Sequence, residues 1–432
     1  MRSTRRLLER RRYAALTALL CASGALASAS CASERDDNER AVEIDAGPDG
    51  STTDAEPAAD GEATPDAAPF DASLLPIECE AQPCAKELVV GQDDSFCALL
   101  DDGTVACWGD NRRGQLGHGE VSIGSATPAR VEGLTNVVTL DRSCAVDKDG
   151  AAFCWGSGPF GASDAGVVVA ATPVRLDLPS ATKVSASAQT ACALVESGVV
   201  CWGSNANGQV TSAEPLDAQH APTSVPLGAG AKVRDIAVNE ATFIVREDGT
   251  TESWGANLML ARDSSLSPDP KPRPTMFERV SAVEVAETRA CAAFDGDVYC
   301  WGDDVGALPR RAVAPEPLVQ VSTTKTLRTG TGASSKLVSP ARWCAVSTSG
   351  AVFCVGDNLS GQAGDGTTEH AARPVRMLGL PAPAARVKTL FDTSCALLTN
   401  GKVYCVGSNY YGQLGNGIMR RSSLEPVEVR LP

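Results

Sequence analysis

The stretch "CALLDDGTVACWGDNRRGQLGHG", from Cys97 to Gly119, decides how this chain folds. Two short apolar runs, "CALL" and "TVACW", flank a turn built from Asp and Gly, which is the signature of a β-hairpin. A glycine-rich run follows, and such a run can cradle a phosphate where it opens a helix. No helical periodicity follows it here, so we interpret the stretch as a hairpin and the bend that leads out of it.

The same hairpin occurs seven times in the 432-residue chain, at intervals of 47 to 54 residues. A proline-led run and a fourth short apolar run complete each copy, which gives four short strands per repeat. One such sheet has apolar faces that it cannot bury alone, and seven sheets bury them by stacking around an axis. We therefore predict an all-β, seven-bladed β-propeller over residues 79–432. The turn glycines are Gly103, Gly150, Gly198, Gly249, Gly296, Gly350 and Gly401.

Two motifs of these repeats resemble the regulator of chromosome condensation family: the hairpin "CAL-x-x-DG-x-V-x-CWG-x-N" and the run "GQLG" at Gly114 and Gly412. The resemblance covers about residues 86–431 and implies the propeller fold. It leaves the function open. The family's name-giving member is a nuclear exchange factor for a small GTPase and binds chromatin, whereas some secreted bacterial relatives bind proteins, including a β-lactamase. The copies at Gly249 and Gly296 lack the "GQLG" run, and an insert at residues 323–336 lengthens the sixth repeat.

Six of the seven copies carry two cysteines, nine or ten residues apart, on opposite arms of the hairpin. Directly opposed residues of an antiparallel pair lie close to disulfide range, so we expect six bridges in an oxidising compartment and a seventh in "CEAQPC". The fourth copy replaces both cysteines together, by Phe243 and Ser253, as a paired role predicts. The alternative is buried free thiols. The expected pairs are Cys79–Cys84, Cys97–Cys107, Cys144–Cys154, Cys192–Cys201, Cys291–Cys300, Cys344–Cys354 and Cys395–Cys405.

The first thirty residues are typical of an export signal. Residues 1–30 combine a basic start with an apolar, small-residue stretch. "SASC" resembles a bacterial lipobox ending at Cys31, although Ser28 stands where that motif usually has Leu. Of the sixteen cysteines, Cys21 leaves with the signal and acylation occupies Cys31, so fourteen remain for pairing, which is an even number. The alternative is plain cleavage after Ala29 and secretion.

Residues 31–78 are rich in Asp, Glu, Ala and Pro, and residues 32–78 carry a net charge of −12. Such a segment cannot bury enough apolar surface to fold, so we predict a disordered acidic tether. The whole chain has a net charge of −15 and shows no basic stripe, which argues against nucleic acid as a ligand.

No catalytic or metal-binding motif is present, and the three histidines, His118, His220 and His370, fall in unlike loops. We therefore expect no catalytic residues, no metal and no cofactor. Five tryptophans occupy one repeat position, which favours packing between blades over a ring of stacking platforms for a sugar or base. They are Trp108, Trp155, Trp202, Trp254 and Trp301.

These observations favour a monomeric protein-interaction module at the cell envelope. It would contact the membrane through its lipid anchor only, at the outer membrane or cell surface, and its protein partner is unknown. We assign partner binding to the divergent loops, with Phe160, Tyr410 and Tyr411 as aromatic anchors. The alternatives are a carbohydrate- or cell-wall-binding propeller and a propeller hydrolase or lyase.

Overall fold

The computed structural model describes residues 73–80, 82–160, 166–212, 216, 218–329, 336–339 and 341–432. The predicted signal peptide, Cys31 and the tether up to residue 72 lie outside the described residues. These assignments, with the boundaries 1–30, 31–78 and 79–432, stay predictions. No helix of the described residues is long and apolar enough to cross a membrane.

The described chain forms seven four-stranded antiparallel sheets, and within each sheet the strands pair in chain order. This confirms the all-β, seven-bladed propeller. The strands of blades 1 to 4 are β1 Ala85–Val90, β2 Ser95–Leu100, β3 Val105–Gly109, β4 Ser125–Arg130, β5 Val137–Asp141, β6 Cys144–Asp147, β7 Ala152–Gly158, β8 Val168–Arg175, β9 Ala181–Ala186, β10 Thr190–Val195, β11 Gly198–Ser204, β12 Gln219–Val225, β13 Val233–Val238, β14 Ala241–Arg246, β15 Thr251–Gly255 and β16 Asp269–Pro274.

Blades 5 to 7 follow the same plan, with one addition. Blade 6 is β21, β24, β25 and β26, and the hairpin of β22 and β23 is inserted after its first strand, where the sequence predicts the insert. A single 3₁₀ turn, Asn257–Met259, lies in the loop of blade 4. The strands are β17 Val280–Ala286, β18 Arg289–Phe294, β19 Asp297–Gly302, β20 Gly306–Ala312, β21 Leu318–Thr323, β22 Leu327–Thr329, β23 Lys336–Ser339, β24 Trp343–Ser347, β25 Val352–Gly356, β26 Ala371–Arg376, β27 Ala384–Thr389, β28 Thr393–Leu398, β29 Val403–Gly407 and β30 Ser423–Glu428.

The hydrophobic core is divided among the interfaces between blades. Each of the seven clusters of buried residues in the described chain combines residues of two neighbouring blades, and all seven interfaces have one. The cluster between blades 7 and 1, for example, joins Leu88 and Trp108 to Leu397 and Leu414. Stacking therefore buries the faces that a single sheet leaves exposed.

The five repeat tryptophans are buried in these interfaces, as the sequence predicts. Each indole Nε1–H donates a hydrogen bond to a main-chain carbonyl of the preceding blade. Trp108 donates to Gln413 O at 2.9 Å, which joins blade 1 to blade 7 and closes the ring. The other four bonds are Trp155 to Gln115 O, Trp202 to Pro159 O, Trp254 to Gln209 O and Trp301 to Met259 O.

The propeller has two unlike faces. The hairpin turns within blades and the links between blades lie on one of them, the turn face, where Asp101 N donates to Cys84 O at the start of β1. The turns after the first strands and the loops between the third and fourth strands lie on the other, the long-loop face, where Asp110 N donates to Asp94 O. The entering chain follows the turn face, since Glu78 N donates to Thr399 O and Leu75 lies against Gly350.

Candidate functional site

The long-loop face is built on buried asparagines that follow the third strand of four blades. In blade 1, Asn111 Oδ1 accepts from Leu116 N at 3.1 Å, and its amide donates to Glu120 O at 3.0 Å. These bonds hold the loop's own main chain, so the asparagine has a structural role. The equivalent Oδ1 bonds are Asn205 to Val210 N, Asn358 to Ala363 N and Asn409 to Leu414 N.

A buried glutamine fixes the same loops from the other end. Gln115 Oε1 accepts from Arg113 N, Gln362 Oε1 from Ser360 N and Gln413 Oε1 from Tyr411 N, each at 2.8 Å. The asparagine, together with the glutamine in blades 1, 6 and 7, thereby fixes the main chain around the three residues between them, and the first two of these three extend outward. We call these residues the presented pairs. They are Arg112–Arg113 in blade 1, Ala206–Asn207 in blade 3, Leu359–Ser360 in blade 6 and Tyr410–Tyr411 in blade 7.

The presented pairs of blades 7 and 1 meet across the seam of the ring. Arg112 Cζ lies 4.4 Å from the ring centre of Tyr411, and Arg420 Cζ lies 5.4 Å from that of Tyr410. The two tyrosine rings stand edge to face at 4.8 Å. Tyr410 stays 53% exposed. The predicted anchors Tyr410 and Tyr411 thus lie on the long-loop face, and the arginines beside them were not identified from the sequence.

Phe160 does not fit its predicted role as an exposed anchor, which is a correction. It is only 5% exposed and packs in the cluster between blades 2 and 3. Pro159 O accepts the Trp202 indole N–H, as Gln115 O accepts that of Trp155. Phe160 therefore occupies the place that Leu116 fills in blade 1. A "GQLG" run at residues 158–161 would have predicted a buried position for residue 160, but the sequence there is "GPFG".

The mouth of the central channel lies inside the ring of presented pairs and is acidic. Two hollows of about 300 and 340 Å³ open there, and the first strands and their turns line them. Burial, followed by the nearby charges of Asp392, Asp110 and Asp93, raises the pKa of Asp94 to about 7. Burial and then the charges of Glu287 and Asp303 raise the pKa of Glu240. The mouth thus gathers carboxylates that the sequence distributes over four blades, 1, 4, 5 and 7.

Arg142 crosses the channel below this mouth. It belongs to blade 2, and its Nη2 donates to Val285 O of blade 5 at 2.9 Å. Its side chain borders both mouth hollows and a cavity of about 230 Å³ inside the channel, so it separates them. Inside, Lys388 Nζ lies 2.7 Å from Glu284 Oε2, and Lys183 pairs with Asp235. Paired ions therefore line the cavity inside the channel.

The described groups do not form a recognisable catalytic or metal centre. In the part of the chain that the structure describes, no group of three or more His, Cys, Asp or Glu side chains is placed to hold a metal ion. His118 Nε2 lies 2.9 Å from Ala129 O and outside both hollows. Asp94 has a pKa suited to proton transfer, but no described histidine or lysine completes a catalytic pair with it.

The fourteen cysteines of the described chain form the seven expected pairs. In the hairpins the partners oppose each other directly, with Cα atoms 4.0 to 4.1 Å apart. Cys79–Cys84 closes a small loop where the chain enters. In blade 4, Phe243 and Ser253 oppose each other instead. Cys31 and the loop residues 161–165 lie outside the described residues.

Comparison with known proteins supports the family. The model of the regulator of chromosome condensation (RCC1) repeat matches residues 86–115, 181–209 and 391–413, and a second model of that repeat matches residues 102–147. The ultraviolet-B receptor UVR8 of Arabidopsis thaliana is 29% identical over 230 residues, which is 49% of each protein. The chain thus spans about half the length of this curated relative.

Solved propellers show the same fold at low identity. Prp20p of Saccharomyces cerevisiae, whose structure is described with its binding properties to Gsp1p and histones, matches with a TM-score of 0.60 and 16% identity. The match covers 82% of this chain and 87% of that one. Human WBSCR16 matches with a TM-score of 0.60 and 17% identity, over 76% and 94% of the two chains.

Proposed function

Because the chain carries regulator of chromosome condensation repeats in a seven-bladed propeller, we propose that it is an exported, lipid-anchored module that binds a protein partner through its long-loop face. It acts as a monomer at the cell envelope and has no catalytic activity of its own. The observation that carries this proposal is the presentation of variable residue pairs on a fixed Asn and Gln scaffold. Rigid loops on a rigid ring lose little entropy on binding, which favours recognition.

The difference between the two faces supports the long-loop face. The turn face is crossed by residues 73–84, whereas the long-loop face carries Tyr410 and two exposed arginines, Arg112 and Arg113. Tyrosine and arginine are enriched among residues that dominate binding energy in protein interfaces. Leu75 and Glu78 contact the turn face, so this described segment leaves the long-loop face uncovered.

Protein binding is also what related propellers suggest. Yeast RCC1 (Prp20) has been solved with Kap60 bound to it, and Prp20p binds Gsp1p and histones. Export is supported by seven disulfides, which form and persist in oxidising compartments. The anchor at Cys31 is supported by the sequence alone.

Site-specific photo-cross-linking tests the proposal. A photoreactive amino acid replaces Leu359, 77% exposed in a presented pair, or Met276, 58% exposed in a link of the turn face. We expect a discrete adduct with an envelope protein from position 359 and none from the matched position 276. Adducts from position 276 alone, or binding on a glycan array without any protein adduct, would contradict the proposal.

Intact-mass measurement tests the anchor separately. The mature protein is expected to begin at Cys31 and to carry the mass of its acyl chains. Cys31→Ser is expected to release the protein into the soluble fraction. A mature chain that begins after Ala29 without acyl mass would show a secreted protein with the same binding face.

A further inference from the structure

We propose that the arc of blades 6, 7 and 1 on the long-loop face recognises an acidic segment of the partner protein. The arc is defined by Leu359, Tyr410, Tyr411, Arg112 and Arg113, with Arg420 and Arg421 beside it. This inference rests on the proposed protein-binding function and adds the chemistry of the partner. It follows from three features of the described residues: the asymmetry of the ring, the order of the arc and its charge.

Three neighbouring blades of the described ring present large side chains next to one another. Blades 6, 7 and 1 are neighbours, and their presented pairs supply an aliphatic, an aromatic and a basic group in turn. Blade 3 presents Ala206 and Asn207, which are small and polar. Blade 5 has no long loop, because β19 and β20 are joined by a short turn at Asp303 and Asp304. The long loop of blade 4 also exposes Leu258 and Leu266, so the arc is distinguished by its combination of aliphatic, aromatic and basic side chains on adjacent blades.

The arc is ordered before any partner binds. Arg112 is held twice, by stacking on Tyr411 and by paired bonds to Asp110, with Nε–Oδ1 at 3.0 Å and Nη2–Oδ2 at 2.6 Å. The loop of Arg420 is fixed by its own N–H, which donates to Asn409 O at 2.6 Å. Side chains held in this way lose little further rotamer freedom when they bind.

The exposed arginines of the arc favour binding to carboxylates of a partner protein. Asp110 neutralises Arg112, and Asp93 lies 3.5 Å from Arg113, whose side chain is still 56% exposed. Arg420 and Arg421 are exposed, and no described carboxylate lies within 4.0 Å of either guanidinium. An arginine next to a tyrosine face pairs with carboxylates in a flat, bidentate arrangement. In a protein with a net charge of −15, this arc is a local exception.

Leu359 and Tyr410 define the rest of the footprint. Both are apolar or amphipathic and largely exposed, so an aliphatic side chain of the partner can cover them while its acidic neighbours reach the arginines. The segment that fits is therefore acidic with interspersed leucine-like residues. A purely anionic polymer would leave Leu359 uncovered.

A defined peptide tests this chemistry on the full chain. The probe is a synthetic glutamate-rich peptide with interspersed leucines, and its matched control replaces every glutamate by glutamine. Fluorescence anisotropy is expected to show at least about tenfold tighter binding of the glutamate peptide. The triple variant R113A/R420A/R421A is expected to lose that preference, and Y410A is expected to weaken both peptides.

The control variant removes three exposed arginines away from the long-loop face, R175A/R279A/R310A. It has the same change in net charge and is expected to bind the glutamate peptide as the wild-type protein does. Equal loss in both triple variants would reduce the effect to general electrostatics and overturn the inference. Binding to phosphatidylglycerol vesicles in place of the peptide would overturn it as well, since a membrane would then be the ligand.

The cross-linking experiment separates this inference from the proposed function. If position 359 captures an envelope protein but the glutamate preference is absent, the acidic partner is wrong and protein binding stands. If neither appears, both are wrong.

Discussion

Asp94 shows how the fold changes the chemistry of a single residue. A carboxyl group with a pKa raised from 3.8 to about 7 is protonated in the folded chain and ionised in the unfolded chain between these values. The unfolded state then binds fewer protons, so stability falls as pH rises from about 4 to 7 and is level above. The raised pKa of Asp94 therefore lowers the free energy of unfolding at neutral pH.

We predict that Asp94→Asn stabilises the protein at pH 8 and not at pH 4. Because water reaches part of the carboxyl group, we expect about 2 kcal/mol, roughly half of the full shift. Urea unfolding at the two pH values measures the difference. The control is Asp263→Asn, which alters an exposed loop carboxylate of blade 4 outside the mouth hollows. A gain of equal size at both pH values would contradict the titration.

Arg342 is a second residue whose role is set by its surroundings. Blades 6 and 7 have Val355 and Val406 where the other five have tryptophan. Between blades 6 and 7, the carbonyl that an indole would contact is Gln362 O, and Arg342 Nη2 donates to it at 2.9 Å instead. The side chain is 1% exposed, and burial lowers its pKa to about 9, so it keeps its charge at neutral pH. Arg342 thus replaces the missing indole N–H.

A double-mutant cycle tests that replacement. Arg342→Ala is expected to cost about 3 kcal/mol through a cavity and lost hydrogen bonds, and Val406→Trp about 2 kcal/mol through overpacking. Together they are expected to cost at least about 2 kcal/mol less than their sum, because the indole can then reach Gln362 O. Additive losses in urea unfolding would show that the two positions do not share a site.

The hairpin is the element that repeats with the least change. Its cysteines oppose each other in six blades, whereas blade 4 has Phe243 and Ser253 at the two opposed positions. There Phe243 packs against Trp301 with ring centres 5.6 Å apart, and Ser253 Oγ donates to Leu260 O at 2.6 Å. In blade 4 the two positions therefore contact the next blade and the long loop, in place of a covalent link between the arms.

Removal of one bridge is expected to lower the stability of the whole ring. C291A/C300A should cost about 2 to 3 kcal/mol, the loop-closure value for a short loop. Urea unfolding with and without reductant measures the loss. The reduced wild-type protein is the control, since the difference from the variant should shrink once every bridge is open. A variant as stable as the oxidised wild-type protein would show that the bridge contributes nothing.

The long loops contribute both to packing between blades and to the proposed recognition of a partner. In blade 4, where no "GQLG" run exists, Met259 O accepts the Trp301 indole and Leu260 is fully buried. Met259 and Leu260 thus take the roles of the glutamine and leucine of the other blades. The loop ends pack into the next interface, and only the residues between them remain for a partner.

At the scale of the whole molecule, the ring closes without an exchanged strand. Each blade takes its four strands from one continuous stretch of chain, with the hairpin of β22 and β23 inserted in blade 6, so the seam between blades 7 and 1 depends on side-chain and loop contacts. Gly412 is one of them. It has φ of 91°, and a Cβ there would lie 2.5 Å from the main chain of Ala126 in β4.

We predict that Gly412→Ala opens the seam at a cost of at least about 3 kcal/mol. The control is Gly133→Ala, which has φ of 73° and no atom within 4 Å of the added Cβ. It should cost only the backbone strain, about 1 kcal/mol. Urea unfolding and native-state proteolysis measure both. Equal costs for the two variants would show that strain, and not the approach of blade 1, makes the glycine necessary.

The sequence alone determined the number of blades, the strand order and the opposition of the cysteines, because these depend on contacts within a single repeat of 47 to 54 residues. Alternation, turn residues and a fixed period are local properties, and the seven copies repeat them. The burial of Phe160, the acidic mouth, the crossing of the channel by Arg142 and the substitution of an indole by Arg342 were decided only by the tertiary structure. Each depends on residues from different blades, as Arg142 and Val285 do at a separation of 143 positions. Closing the ring brings such residues together, and no local pattern records which of them will meet.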